Sequence, residues 1–139
     1  MKLKTIFTVN YIYSFLFGAG FIFFPTLCSS LVGFNVAGDS YLIAQCMGIF
    51  VICTGLLTFF ARDAERSAAR RAIVLCLFTL FILLFLYKLS LNFLYGIPFN
   101  LMLALIYVLH IGFIVSYGYH LFGRPREIES QPVGSATTN

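Results

Sequence analysis

Charge is what this sequence has least of. Asp, Glu, Lys and Arg make up 10% of its 139 residues, where a soluble domain of ordinary composition carries about 25%. The stretches 5–38, 40–61, 72–87 and 89–123 contain none of the four. That excludes an ordinary solvated domain. It also weakens any nucleic-acid reading of the +4 net charge, because the basic residues flank apolar runs and cover no solvated face. Tryptophan is missing. No CxxC pair or metal-ligand spacing joins Cys28, Cys46, Cys53 and Cys76. Nor does the chain carry a nucleophile with its base, a phosphate-binding glycine loop or a carboxylate pair. It is therefore read as non-enzymatic, with no cofactor or metal expected.

What remains is apolar. Hydrophobic residues make up 60% of the chain and the mean hydropathy is +0.95. A bilayer core of ~30 Å takes about 20 helical residues, so four spans are predicted, about 5–24, 41–60, 72–91 and 101–121. The fold class is all-α, an integral membrane four-helix bundle over 1–123, with a disordered polar tail over 124–139. The start, MKLK before an apolar run, imitates a signal peptide. The run is too long, lacks an A-x-A site and is interrupted by Asn10, Tyr11, Tyr13 and Ser14, so it is read as an uncleaved first span. Pro25 marks its outer end. Residues 26–40 mix turn formers (Gly33, Asn35, Gly38, Asp39) with Leu31, Val32, Phe34 and Val36, and read as an interfacial piece, helix or loop. Gly48 and Gly55 share a face of the second span, where small residues let helix backbones approach. The third span, without glycine or proline, reads as long and straight. NFLYGIPFN, 92–100, reads as a turn.

The stretch 61–72, ARDAERSAARRA, is the one central charged segment. On this map Lys2, Lys4, Arg62, Arg66, Arg70, Arg71, Arg124 and Arg126 fall on one side of the membrane and Lys88 alone on the other. Cationic loops stay in the cytoplasm. Both termini are therefore expected there, in a bacterial inner membrane.

In the fourth span Leu103, Tyr107, His110, Ile114, Tyr117 and Leu121 form a stripe at helical spacing. An ionisable His110 near the midplane is a candidate proton relay or quinone or haem contact, with Tyr107 and Tyr117 beside it. The competing reading is a neutral histidine bonded between helices, favoured because no intramembrane acid accompanies it. His120 reads as interfacial. Gly112 and Ser116 make the opposite face an alternative buried side. Asn10, Ser14 and Gln45 are expected in the bundle interior, since polar groups in lipid need partners. Lys88 either snorkels or meets an anion, and an outer ion pair with Asp39 is a specific expectation. A Cys28–Cys46 thiol pair at similar outer depth is the weakest candidate.

Pro25 after the first span, Val32-Gly33-Phe34, the Gly48 to Gly55 span ending in FFAR at 59–62, and SAARRAI at 67–73 carry a resemblance. Over about 11–77 the chain resembles the small four-helix membrane proteins of the DoxX-like group, and in the fourth span it matches in hydropathy alone. The resemblance implies a compact four-span fold. The group's namesake is a subunit of a thiosulfate–quinone oxidoreductase, and no residue of that activity carries over. The expected function is a packing or accessory subunit of a membrane complex with lipid as a ligand. Its 17 Phe and 8 Tyr offer broad apolar surface, and the expected partners are the bilayer and other membrane subunits or a second copy. The alternative is a redox-linked subunit contacting a quinone near the fourth span. A small-solute transporter comes third, for want of intramembrane acids.

Overall fold

The computed structural model describes residues 2–33, 38, 40–65, 67–96 and 100–123. Among these there are five helices and no strand: α1 (Leu3–Phe23), α2 (Pro25–Leu31), α3 (Ser40–Ala61), α4 (Ala68–Tyr95) and α5 (Leu101–Phe122). All but α2 are long and apolar enough to cross a membrane.

Local chemistry sets the breaks. Pro25 cannot continue the α1 ladder, and it opens α2 at a first-turn position where its missing N–H costs nothing. The piece after span one is thus a short helix as far as Leu31, turned at Gly33, whose φ of 91° favours glycine. Ser67 caps α4, its hydroxyl accepting from the Arg70 N–H at 3.2 Å. Asn100 caps α5 by accepting from Leu103 N at 2.7 Å, and its amide donates to the Leu31 carbonyl at 3.0 Å. One asparagine therefore ties the start of α5 to the end of α2.

The third span differs most from the sequence reading. Helix α4 runs 28 residues, about 42 Å at 1.5 Å per residue, and extends past 72–91 at both ends. Arg70 and Arg71, read as linker, lie in its first turn because Ser67 caps it. Asn92 to Tyr95, read as turn, are helical. Nothing before Gly96 breaks the ladder, and Gly96 stops it in the left-handed conformation with φ 61°.

Two antiparallel pairs make the bundle. Helices α1 and α3 meet backbone to backbone: a Cβ added to Gly48 would lie 2.7 Å from the Gly18 carbonyl oxygen. Helices α4 and α5 meet through larger side chains. Between the pairs, Ile6 and Phe7 of α1, Val74 and Leu77 of α4, and Phe113 and Tyr117 of α5 form the main core, closed by Ala61 of α3. Phe81 stacks on Phe113 at 4.8 Å between ring centroids. This core lies toward the end that carries the charged linker, called the basic end below. A smaller cluster of Val32, Leu103 and Ile106 lies toward the far end. Outward faces of all four long helices are apolar and would meet lipid in a membrane.

Candidate functional site

Two groups of polar side chains inside the bundle and one at its charged end bear on function. The first joins α1 to α5. Asn10 is fully buried and donates through Nδ2 to the Tyr117 hydroxyl at 2.8 Å, while Ser14 Oγ donates to Asn10 Oδ1 at 3.2 Å. Asn10 and Ser14 are one turn apart on α1, so a single face supplies both. Gln45 on α3 donates to the Ile22 carbonyl at 3.0 Å. In an apolar interior these bonds satisfy groups that would otherwise be costly to bury.

The second group is a polar seam between α4 and α5 in the far half of the bundle. Lys88 and Asn92 lie one turn apart on α4, and Tyr107 and His110 three residues apart on α5. Antiparallel packing sets the two pairs opposite each other. Asn92 Nδ2 donates to the Tyr107 hydroxyl at 2.9 Å, and Lys88 Nζ lies 3.5 Å from His110 Nε2. His110 Nδ1 is 2.8 Å from the Ile106 carbonyl oxygen. A carbonyl only accepts, so we assign the imidazole proton to Nδ1. Nε2 then presents a lone pair to the Lys88 ammonium. His110 is 2% exposed, and its ring meets Phe81 edge to face at 5.3 Å. Lys88, Asn92 and Tyr107 are half-buried.

The third group is the basic end. Asp63 accepts from Lys4 and from Arg62 Nε, the latter at 2.7 Å. These hydrogen bonds, Lys4 first, hold the Asp63 carboxyl below its usual value. The Arg62 guanidinium covers the Phe59 ring at 4.5 Å. Arg70 Nη2 donates to the Arg62 carbonyl at 3.1 Å, bridging the end of α3 to the start of α4. Lys4, Arg62 and Arg70 are thus built into one charged knot.

The sequence stripe of Tyr107, His110 and Tyr117 is divided among three partners. Tyr117 turns to Asn10 on α1, His110 to Lys88, and Tyr107 to Asn92. Phe81 and Phe113 lie between His110 and Tyr117 as an aromatic layer. Ile106 and Phe113 are buried on that side, while Ile114 and Leu121 of the stripe are half-buried and pack against the main core. The opposite face is not the buried side, since Gly112 is exposed and a Cβ there would meet nothing within 4 Å. Asp39 and Arg66 lie outside the described residues, so the Asp39–Lys88 pair does too, as do Arg124, Arg126 and the tail. Arg71 is exposed at the start of α4. Cys28 and Cys46 are free thiols, and burial raises the Cys28 pKa. Among the described residues no three His, Cys, Asp or Glu side chains group to hold a metal ion.

Sequence reasoning missed Asn92. Its signal was there, four residues after Lys88, and was hidden by reading 92–100 as a turn. No family model, curated protein or solved structure matches the chain.

Proposed function

We propose that this is a non-enzymatic, multi-pass subunit of a bacterial inner membrane, with both termini in the cytoplasm, that packs against other membrane chains or its own copies and takes lipid as a ligand. The observation that carries this reading is how the buried polar groups are used. Asn10 bonds Tyr117 and Gln45 bonds the Ile22 carbonyl from helix to helix, with Ser14 bracing Asn10 within α1, which is the role of polar glue in a bundle. The orientation rests on the basic end, where Lys4, Arg62, Arg70 and Arg71 collect, while among the described residues Lys88 is the one cation toward the other end. The resemblance to the DoxX-like group supports the same four-span reading.

The quinone reading has one observation in its favour, the donors that Lys88 and Asn92 bring beside Tyr107. One observation weighs against His110 as the contact. Its Nδ1 proton goes to Ile106, so the neutral ring has no second donor for a quinone carbonyl.

Purification in mild detergent separates the two. The accessory reading expects a co-purifying membrane chain or a self-oligomer, with no stoichiometric quinone. A lone monomer carrying one quinone per chain would replace it with the redox reading.

A further inference from the structure

We infer that the seam between α4 and α5 is a binding site for the anionic head of one amphiphile, a phosphodiester or carboxylate oxygen carried on an acyl chain. This deepens the accessory-subunit reading and rests on its lipid-binding part. Lys88 is seven residues from Tyr95, about 10 Å inside the far end of α4. An ammonium at that depth is costly unless it is paired or reaches the interface. His110 does not compensate the charge. Its Nδ1 proton is committed to Ile106, so Nε2 accepts from Lys88, fixing the direction of the ammonium without neutralising it.

The described residues supply little else. The described carboxylates, Asp63 and Glu65, lie at the basic end, and no ion pair reaches Lys88 among the described residues. An ammonium has three donor hydrogens, of which His110 takes one. The Asn92 amide has two, of which Tyr107 takes one. Spare donors from Lys88 and Asn92, one turn apart, are suited to an anionic oxygen. Both residues are half-buried, so the seam is open on its flank. Leu89 and Phe93, exposed at the same level of α4, offer apolar surface to the chain of the ligand. Such a ligand enters sideways from the membrane.

Native mass spectrometry of the purified protein, titrated with phosphatidylglycerol, phosphatidylcholine, oleate or inorganic phosphate, tests the site. One phosphatidylglycerol or one oleate per chain is expected, preferred over phosphatidylcholine, and the two arms tell which head is taken. Lys88→Gln is expected to weaken that binding about tenfold, Lys88→Arg to keep it, and Asn92→Leu to weaken it less. Elution profiles of all three are compared with the parent. Equal binding of phosphatidylglycerol and phosphatidylcholine overturns the inference, as does an undiminished preference in a folded Lys88→Gln. Displacement of the lipid by millimolar inorganic phosphate overturns it too. Co-purifying chains are scored in the same samples. Lost lipid preference with partners retained fails this site alone, and absent partners with lipid retained fail the accessory reading alone.

Discussion

Asn10 on α1 and Tyr117 on α5, 107 residues apart in sequence, share a hydrogen bond of 2.8 Å in the dry centre of the bundle. It joins the first and last spans directly. Interhelical bonds of this kind are worth about 0.6 kcal/mol on average and at most about 1.7. Asn10 also accepts from Ser14, so Asn10→Leu breaks two bonds and Tyr117→Phe one. The expected order of thermal midpoints in detergent is parent, then Tyr117→Phe, then Asn10→Leu. The double variant is expected to lose less than the sum of the singles. Strict additivity would mean that the two side chains are not coupled.

Glycines at two positions predict opposite outcomes. A Cβ on Gly48 meets the Gly18 backbone at 2.7 Å, and backbone cannot step aside as a side chain does. Gly48→Ala is expected to cost about 1–3 kcal/mol by overpacking. Gly112 is mid-helix with open space around it. Gly112→Ala is expected to leave stability unchanged or raise it by up to about 1 kcal/mol through helix propensity. Denaturant titration of both variants in the same detergent decides the pair.

Fold class was legible in the sequence because uncharged runs long enough to span a bilayer have few alternatives. Periodicity also placed Asn10, Ser14, Gly48 and His110 on particular faces. It did not give partners. Which residue of α5 meets Asn10 depends on helix order and rotation about the axis, and both are set by tertiary packing. The Gly18–Gly48 contact and the Phe81–Phe113 stack fix that rotation. Lys88 was read one turn from the end of its helix because Gly96 and Pro98 were allowed to spread their turn signal back to Asn92. Local turn chemistry lost there to an unbroken ladder capped only at Gly96.

The proposed orientation rests on the charge at the basic end. Reporter fusions after Ser67 and after Gly123 are expected to read cytoplasm, and one after Gly38 the outside. An outside signal at Ser67 would reject the proposed topology.

Asp63 gives the basic end a pH dependence. Lys4 and Arg62 hold its pKa below the ordinary carboxylate value. A depressed folded pKa contributes stability above the unfolded value, and that contribution is lost as pH falls through the folded one. The loss is therefore expected below about pH 4. It is small, because the carboxylate is exposed and screened by solvent. Between about pH 6 and pH 3, the parent is expected to fall toward an Asp63→Asn variant in thermal midpoint. Parallel curves would leave the Lys4 and Arg62 contacts without an energetic role.

His110 and Lys88 provide the sharpest test of the seam. The imidazole offers Nε2 as an acceptor to the ammonium, and a glutamine at 110 retains an acceptor through Oε1. His110→Gln is thus expected to keep most of the stability. His110→Leu removes the acceptor and leaves a cation facing hydrocarbon, at a cost of about 1–3 kcal/mol. Replacing both partners by apolar residues removes the charge that needed the acceptor, which is often neutral or stabilising. Lys88→Leu with His110→Leu is therefore expected to be more stable than His110→Leu alone. If His110 were only a space-filling ring against Phe81, His110→Leu would cost the same whether position 88 is Lys or Leu. A coupling below about 0.5 kcal/mol in that cycle would reduce the seam to packing and leave Lys88 a snorkelling side chain.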